Sequence, residues 1–457
     1  MNAVRTTHTV AGCGAPLAPL LNGAREEVSL FVHSANSIPN AVTVRARTSS
    51  LDLLAERALL LAAPGALVCL PAPADDDFLE FLQPWGLGPR AEDIVTISVP
   101  DDGRCFTARL LDDPGALERV ASRVGGRAVR LHPFYASPRE FELAGRLEAL
   151  IGNRVTVLGG AADVVRFIYS KHHVRREAQR LGIPLAPGEV VELALPGQGG
   201  RRDVTALASA IARHLPLTGR VIIRGASSSS GTCTFVVTSE AGSAPAVLGE
   251  IAGRDDETVY LVDSMYAMTA SPNIQTFVEP GSGAISLVSV CDQRLQDGIS
   301  YQGNQYPSSA TLLSEMTAAA FDLSNWIAGL GFTGLAGFDF VEFIGARGNP
   351  DFVLAEINPR INGATFPAIL RERVNERRGS RPEISAMLTA GIRTTARTFR
   401  EVRRLCGSDL FDASTGRGIF PYYLGALPAG VLYAAFLGAS LEDAHALLRS
   451  CTGSARP

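Results

Sequence analysis

The sequence predicts an α/β protein of several domains, in which a parallel sheet with flanking helices precedes a series of antiparallel hairpins. Its 457 residues suffice for two to four domains, and 46% hydrophobic with 19% charged residues is an ordinary composition for a globular chain. Short β-rich runs alternate with helical patterns up to about residue 155, which is typical of a parallel sheet. Later segments pair apolar runs around loops of small and polar residues, which indicates hairpins.

The charge and the apolar segments restrict the partners and the compartment. A net charge of −4 argues against nucleic acid or an anionic membrane as the main partner, because both usually select a basic excess. The longest apolar stretches, residues 58–74 and 425–439, contain Pro and Gly and are too short to span a bilayer. Seven cysteines without C-x-x-C spacing fit reduced thiols. We therefore expect a cytoplasmic protein that acts on small molecules, and the sequence leaves a homodimer open.

The first third of the chain contains the elements of a Rossmann-like sheet. Strands are predicted at residues 28–33, 66–70, 94–99 and 128–131, and helices near 51–61, 75–83 and 138–150. Ser137 is suited to cap the last of these helices, and Pro138 suits its first position. No G-x-G-x-x-G follows a strand, so a dinucleotide site is not expected. We predict a Rossmann-like domain over residues 1–160.

A hairpin near the end of the second third carries the most informative polar residues. The runs Gly337–Phe343 and Phe352–Asn358 are rich in Phe, Val, Ile and Leu, and a Gly/Asn/Pro/Asp segment separates them. A symmetric loop would place Phe343 opposite Phe352 and would fix the register of the whole pair.

This register would bring two carboxylates together. Asp339 would lie opposite Glu356, and Asn358 would share their face because side chains repeat every second residue. Like charges placed there repel, which favours a cation between them, and hard oxygen ligands suit Mg²⁺. Arg360 follows the strand, and its planar fork matches a phosphate or carboxylate beside the metal. The alternative is a hairpin with one solvated polar face.

The acid on the first strand and Glu-x-Asn-Pro-Arg on the second resemble the metal and phosphate signature of the ATP-grasp superfamily. The resemblance implies that Asp339, Glu356 and Asn358 bind Mg²⁺ on the phosphates of ATP. It also implies that Arg360 contacts the transferred phosphate or an acyl phosphate. Ligases of this superfamily that make dipeptides often place an Arg two residues before the first acid, where this chain has Gly337.

The resemblance also implies an architecture. An ATP-grasp fold consists of two α+β subdomains that clasp ATP, and it would follow the Rossmann-like domain as a pre-ATP-grasp domain. The subdomains would span residues 161–265 and 266–400, and a C-terminal module would span 401–457. Ser-Lys before a helix, followed by Gly-Ile-Pro at residues 182–184, is most similar to peptide ligases of the pheganomycin type.

Two basic residues and a serine loop complete the predicted nucleotide site. Lys171 is the one lysine among 42 basic residues, and it stands where the resembled ligases place a lysine on the ATP phosphates. Arg224 stands where members usually carry a nucleotide-binding lysine. Between two strands, small residues offer backbone N–H groups that can wrap phosphate oxygens, and the alternative is a hairpin loop without a ligand. These loop residues are Ser227, Ser228, Ser229, Ser230 and Gly231.

Adenine and substrate contacts are predicted further along the chain. The resemblance places adenine at the backbone of Gln275, Thr276, Phe277 and Val278. Glu279 would hold the ribose, or would be a solvated strand end. Hydrogen-bonding groups too dense for a core segment follow, and we expect acceptor or acyl-substrate contacts from Asp292, Gln293, Tyr301, Asn304 and Tyr306.

The implied activity is ATP-dependent ligation of a carboxylate to an amine through an acyl phosphate, with Lys171 and Arg360 as catalytic residues. The expected substrates are a small-molecule carboxylate and an amino acid or peptide, and the pheganomycin resemblance implies natural-product peptide biosynthesis. Two alternatives remain open. One is an ATP-grasp enzyme with another acceptor, such as a carboxylase or thiol ligase, and the other is a non-catalytic nucleotide-binding protein.

Overall fold

The computed structural model describes residues 14–22, 26–38, 52–195, 200–228 and 233–453. Its first sheet is formed by β1 (Glu27–Val32), β2 (Leu67–Leu70), β3 (Ile94–Thr96), β4 (Ala128–Pro133) and β5 (Val155–Val157). All four pairings are parallel, in the order β3-β2-β1-β4-β5. The central strand β1 is buried from Val28 to Val32, as expected where helices cover both faces of a parallel sheet. The predicted Rossmann-like architecture is therefore confirmed.

The helices of this region begin and end where local chemistry allows. They are α1 (Leu17–Asn22), α2 (Ala58–Leu61), α3 (Asp76–Leu82), α4 (Phe106–Leu111), α5 (Pro114–Val124) and α6 (Pro138–Ile151). Ser137 caps α6 in a capping box with Glu140, and Pro138 takes the first helical position, as predicted. The predicted helix at 51–61 is a 3₁₀ turn, Asp52–Arg57, that continues into the short α2.

A second, four-stranded antiparallel sheet has its own hydrophobic core. Two helices precede it, α7 (Ala162–Tyr169) and α8 (Lys171–Leu181), and Gly182 ends α8 in the left-handed conformation. The sheet comprises β6 (Gly188–Glu192), β7 (Arg220–Gly225), β8 (Thr234–Thr238) and β9 (Val259–Ser264), with α9 (Thr205–Thr218) and α10 (Ser243–Ala252). Its order is β6-β9-β7-β8. Leu207, Ile223 and Val262 belong to a buried cluster separate from the main core. A separate core stabilises this sheet independently of the main core.

The third and largest sheet fills the rest of the chain. Its strands are β10 (Met268–Ala270), β11 (Pro272–Val278), β12 (Ile285–Gln296), β13 (Ser300–Tyr306), β14 (Gly334–Ile344), β15 (Pro350–Asn358), β16 (Ala386–Arg393), β17 (Gly418–Tyr423) and β18 (Val431–Gly438). The order is β10-β14-β11-β12-β13-β16-β18-β17, and β15 pairs with β14. Its helices are α11 (Leu313–Gly329), α12 (Thr365–Arg378), α13 (Phe399–Cys406) and α14 (Leu441–Gly453). The large sheet continues across residue 400, because β16 before this predicted boundary pairs with β18 after it. The predicted domain boundaries stay a prediction.

The register of the β14–β15 hairpin differs from the predicted one at its loop end and agrees with it at its functional end. Phe343 lies opposite Asp351, not Phe352. The register shifts by one residue next to Ala355, as a β-bulge does, so Asp339 still lies opposite Glu356. The prediction about the two carboxylates is confirmed, although the symmetric loop that supported it was wrong.

Two general expectations can be checked against the described ranges. None of the helices in them combines the length and the apolar composition that a bilayer crossing requires. The six cysteines in these ranges are free thiols, so no disulfide joins any two of them.

Candidate active site

The carboxylates of Asp339 and Glu356 share one amide. Asn358 Nδ2 donates to Asp339 Oδ2 at 2.8 Å and to Glu356 Oε1 at 3.3 Å. Asn273, from the neighbouring strand β11, donates its own Nδ2 to Asp339 Oδ1. Asp339 is buried, whereas the Glu356 side chain keeps 33% of its surface exposed. The pair therefore lies at the inner wall of an open cleft.

The protonation of the two acids differs because their surroundings differ. Burial and, after it, the charge of Glu356 together raise the pKa of Asp339 to about 7, against the hydrogen bonds from Asn273 and Gln293, which lower it. Burial also acts to raise the pKa of Glu356, but the positive charges of Lys171, Arg224 and Arg360 outweigh it, so that pKa is lowered. The pair thus carries one negative charge firmly, and it loses its second proton and gains the second negative charge only when a cation binds or the pH rises.

Arg360 continues the cluster beyond the end of the strand. Its Nη2 donates to Asn358 Oδ1 at 2.9 Å, and its Nη1 donates to Ile361 O at 3.1 Å. Its Nε is buried and has no acceptor within the part of the chain that the structure describes. The guanidinium carbon also lies 5.2 Å from the ring centroid of Phe134, which follows β4. The Nε of Arg360 is therefore a donor that an anion can use.

Lys171 reaches the same cluster from the start of α8. Its Nζ lies 3.4 Å from Glu356 Oε2 and donates to Ser228 O at 2.6 Å. The residue is 7% exposed, and its backbone N–H donates to Ala226 O. One compact ammonium thus joins the serine loop to the β14–β15 hairpin, called the metal hairpin below after its predicted role, where it can meet phosphate oxygens from several directions.

Arg224 joins the small sheet to the metal hairpin. Its Nη2 lies 2.8 Å from Asp263 Oδ2, and its Nη1 donates to Ala355 O, at the β-bulge, at 2.8 Å. Asp263 is almost fully buried and also accepts from Arg175 Nη1 at 2.6 Å. Because removing one member of a buried charge network leaves the others uncompensated, this link between the two sheets is energetically important.

The serine loop can be followed over its first two residues. Ser228 is buried, donates its hydroxyl to Gly225 O and accepts the bond from Lys171 on its carbonyl. Ser227 N–H donates to Glu257 Oε2 at 2.8 Å. The remaining predicted phosphate contacts, Ser229, Ser230 and Gly231, lie outside the described residues.

The structure corrects the predicted adenine contacts. Gln275, Thr276, Phe277 and Val278 are buried in β11, whose backbone pairs with β12 on one side and β14 on the other. The Gln275 side chain is also occupied, because it donates to Ser289 and accepts from Thr365. A strand with both edges paired has no free row of backbone groups for a base.

Glu279 lies away from the Asp339–Glu356 pair. It follows the end of β11 that is remote from Asn273, roughly 20 Å along the strand. There its Oε1 lies 3.6 Å from Arg130 Nη2 of the parallel sheet. The ribose role is therefore corrected to an ion pair between the first domain and the large sheet.

Two of the predicted substrate residues are engaged in the protein itself. Asp292 accepts hydrogen bonds from the hydroxyls of Ser308 and Ser309 and from Ser309 N–H, so it holds the loop after β13. Gln293 hydrogen-bonds Asp339 and helps to keep that carboxylate in place. A substrate role for Asp292 is not supported, because its acceptors are already used.

The other three predicted substrate residues border open space. The Tyr301 side chain is 48% exposed although it lies near Asp339, and its hydroxyl donates to Asn304 Oδ1. Tyr306 lies under the guanidinium of Arg371, whose carbon is 3.8 Å from the ring centroid. Asn304, Tyr306 and Arg371 line one cavity. A substrate role for these residues remains a proposal.

Asn273 and Asp263 belong to the site, but the sequence analysis did not identify them. Asn273 is 1% exposed, and its Oδ1 has no partner within the described residues. Both residues are polar positions within apolar strands, and that pattern was the available signal.

The donor set fits a hard divalent cation. In the described ranges no three or more His, Cys, Asp or Glu side chains cluster as a metal site. The oxygen ligands on offer are instead two carboxylates and the unpartnered Oδ1 of Asn273, which leaves positions for phosphate oxygens and water, as Mg²⁺ prefers. Asn358 presents nitrogen to both carboxylates, so its predicted role as a ligand requires its amide to turn over.

Comparisons with known domain families agree with this arrangement. The pre-ATP-grasp domain family matches residues 55–149, within the parallel-sheet region. The ATP-grasp domain family matches residues 263–364, from Asp263 to the residues just after Arg360. No curated protein sequence matches the chain significantly.

Solved structures of low sequence identity share the fold over nearly the whole chain. An N5-carboxyaminoimidazole ribonucleotide synthetase in complex with ADP is 13% identical, with a TM-score of 0.53, and the match covers 93% of this chain and 96% of that one. A biotin carboxylase from Campylobacter jejuni is 13% identical with a TM-score of 0.53, over 93% and 91% of the two chains. The synthetase from Thermus thermophilus is 14% identical with a TM-score of 0.50, over 93% and 98%. The predicted fold is thereby confirmed: the chain combines a pre-ATP-grasp domain with an ATP-grasp domain and has the fold of the ATP-grasp superfamily.

Proposed function

We propose that the protein is an ATP-dependent ligase that joins a carboxylate to an amine and releases ADP and phosphate. The meeting of Asp339, Glu356, Lys171 and Arg360 at one end of the hairpin supports this proposal most. Two carboxylates for a hard cation lie beside two cations for phosphate oxygens. Transfer of a phosphoryl group to a carboxylate needs this combination, because positioning and charge neutralisation supply most of its acceleration.

The reaction has two steps. The substrate carboxylate attacks the γ-phosphorus of ATP, the bond to the bridging oxygen breaks, and an acyl phosphate and ADP result. The amine then attacks the acyl carbon, phosphate leaves with the carbonyl-bound oxygen, and the amine proton passes to phosphate or solvent. Lys171 and Arg360 hold the phosphate oxygens in line and neutralise their charge. Asp339, Glu356 and Asn273 would hold Mg²⁺ together with a turned Asn358, and the ion supplies further charge neutralisation at the transferred group.

The proposed substrates are an acid and an amino acid or peptide, in a natural-product pathway. The similarity of the Ser-Lys and Gly-Ile-Pro segments to pheganomycin-type ligases supports this class. A cytoplasmic location, an absence of nucleic-acid and membrane partners, and a monomer or homodimer complete the proposal.

A screen for ADP release tests the proposal. The purified protein receives Mg²⁺, ATP and all pairwise mixtures of the twenty amino acids, with bicarbonate and cysteamine as additional partners, and mass spectrometry identifies the products. An amide product with stoichiometric ADP supports the ligase. A carboxylated amine or a thioester would instead assign the acceptor class to a carboxylase or a thiol ligase. Release no faster than that of the Glu356→Gln variant with every mixture would contradict catalysis.

Isotope transfer tests the intermediate independently of the product. If an acyl phosphate forms, ¹⁸O placed in the substrate carboxylate must appear in the released phosphate. Release of AMP and pyrophosphate, or of phosphate without the label, would contradict the proposed chemistry.

A further inference from the structure

A second cluster of polar and aromatic side chains lies at the carboxyl ends of β1 and β4, away from the metal hairpin. The strand order β3-β2-β1-β4-β5 changes direction between these two strands, and crevices for ligands form at such positions. His33 directly follows β1 and Phe134 directly follows β4. Arg57, at the end of the 3₁₀ turn, and Phe366 of α12 close the cluster.

Arg57 is enclosed by aromatic rings. Its guanidinium carbon lies 4.8 Å from the ring centroid of Phe366, 5.3 Å from that of Phe134 and 5.9 Å from that of Tyr423. Among the described residues, its side chain donates one hydrogen bond, from Nε to Leu54 O at 3.4 Å. Rings stabilise the faces of a guanidinium, but the N–H groups at its edge still require acceptors.

His33 adds an unpartnered polar group to the same place. It is 1% exposed, and neither ring nitrogen has a hydrogen-bond partner within the described ranges. Its ring lies 6.0 Å from that of Phe134 and 6.4 Å from that of Phe366. Burial, followed by the charge of Arg57, lowers the pKa of His33 to about 3, so the imidazole is neutral and can donate from one nitrogen. Buried polar groups of this kind nearly always have a partner, which indicates a ligand.

The cluster is continuous with the metal end of the cleft. Arg57 and Arg360 lie at similar distances, 5.3 and 5.2 Å, from the same Phe134 ring. Tyr301, exposed to the cleft, lies close enough to Arg57 and Asp339 to be influenced by both charges. One small molecule can therefore contact Arg360 at its reacting end and Arg57 at the other, with aromatic rings between.

We propose that Arg57, with His33 beside it, binds a carboxylate that is not phosphorylated in the reaction. This carboxylate is either the α-carboxylate of the amino acid that supplies the amine or a second carboxylate of the acid that is activated. Arg57 is thus a specificity-determining residue, and the planar fork in its aromatic enclosure suits bidentate recognition. The role of this carboxylate in the reaction rests on the proposed ligase function, whereas its binding to Arg57 can be tested without that function.

Binding can be measured without turnover. Saturation-transfer NMR and calorimetry, with Mg²⁺ and a non-hydrolysable ATP analogue, compare each of the twenty amino acids with its C-amide. Succinate and glutarate are compared with their half-amides. We expect at least one carboxylate probe to bind roughly ten- to hundred-fold more tightly than its amide, as charge-assisted bidentate bonds imply. The amino-acid set tests the acceptor and the diacid set tests the activated acid.

Substitution of Arg57 tests whether this residue causes the preference for a carboxylate over its amide. Arg57→Met keeps the length and the ring contacts and should remove the preference for the carboxylate, while Arg57→Lys should retain part of it. Arg139→Met is the control, because Arg139 is an exposed arginine paired with Glu142 on α6. Circular dichroism and the thermal midpoint confirm that each variant is folded.

Two outcomes would overturn the proposal. One is that the ratio of carboxylate affinity to amide affinity is equal in the wild-type protein and in Arg57→Met. The other is that no carboxylate probe binds to the folded wild type. Failure of the ligase function gives a different result, since Arg57-dependent binding would persist in a protein that releases no ADP with any substrate pair.

Discussion

The two ends of the cleft differ in the groups that surround their charged side chains. At the metal hairpin each ionic group meets an opposite charge or an amide, as Glu356 does with Lys171 and Asp339 does with Asn273. At the Arg57 cluster the positive charge meets aromatic rings. The first arrangement holds its charges in a network that a cation and phosphates can rearrange. The second leaves a desolvated cation whose edge is complementary to a single planar anion.

This difference indicates a division of labour. A network of mutually paired charges is suited to a ligand that every catalytic cycle brings, such as a nucleotide with its metal. An enclosed cation is suited to discrimination between substrates, because an uncharged analogue would leave it unpaired. Substitutions at the metal end should therefore reduce turnover with all substrates, whereas substitutions around Arg57 should act on chosen substrates or on stability.

The largest effect is expected for Glu356→Gln, which should lower ADP release by roughly a thousandfold or more, because an amide cannot neutralise the metal as a carboxylate does. The steady-state rate with the best substrate pair measures the effect. Asp351→Asn is a matched control, since Asp351 is an exposed carboxylate on the same strand. If Glu356→Gln released ADP at nearly the wild-type rate, Glu356 would not be a metal ligand, and the contrast between the two ends would fail.

A somewhat smaller effect is expected at Lys171. Lys171→Met should lower kcat/KM for ATP roughly a hundredfold, and Lys171→Arg should lower it less, because a planar fork cannot replace a compact ammonium between Ser228 O and Glu356. Kinetics at varied ATP concentration measure both values.

Chemical labelling gives a second test of Lys171. It is the one lysine in the chain, so an amine-directed reagent has a single side-chain target besides the N-terminal amine. Mg²⁺ with ATP should slow its labelling. Equal labelling with and without nucleotide, together with normal turnover of Lys171→Arg, would exclude a phosphate role.

A smaller effect is expected at the link between the two sheets. Arg224→Met should raise KM for ATP about tenfold, since it breaks the contacts to Asp263 and to Ala355 O and leaves Asp263 with Arg175 alone. Arg224→Lys keeps the charge and should stay within about threefold of the wild type. If Met and Lys at this position behave identically, the charge of Arg224 has no part in nucleotide binding.

The contrast between the two ends also explains what could be predicted from the sequence. Asp339, Glu356 and Arg360 lie on one hairpin, where the period of two and a local turn determine which side chains meet. The bulge at Ala355 was not predictable, because nothing in the two apolar runs specifies an extra residue. The adenine prediction failed because an apolar run does not reveal that both edges of β11 are paired.

The Arg57 cluster could not have been predicted in this way. His33, Arg57, Phe134, Phe366 and Tyr423 come from five separate segments, and tertiary packing alone brings them together. The strand alternation did predict the parallel sheet, and with it the kind of edge at which such a cluster forms. It gave no information on which side chains from later segments would cover that edge.

The smallest effect on activity is expected at Glu56, which holds the segment that carries Arg57 and acts mainly on the free energy of unfolding. Glu56 Oε2 accepts from Leu424 N–H at 2.8 Å, so this side chain fastens the turn that carries Arg57 to the C-terminal part of the large sheet. Burial raises the pKa of Glu56 to about 7 against the backbone hydrogen bonds, which lower it. A carboxyl with a raised pKa contributes stability below its unfolded value of about 4.5, and this contribution is lost as pH rises through 7.

Glu56→Gln should therefore be relatively more stable at pH 8 than at pH 5, compared with the wild type. The full shift corresponds to about 3 kcal/mol, and partial solvent access reduces the expected double difference to about 1–2 kcal/mol. Urea unfolding of both proteins at the two pH values measures it, and Glu80→Gln, an exposed carboxylate of α3, is the control. Because glutamine can still accept from Leu424 N–H, ADP release at pH 7 should change little, whereas it should collapse in Glu356→Gln. A double difference of zero would mean that the Glu56 carboxyl is solvated and that folding does not raise its pKa.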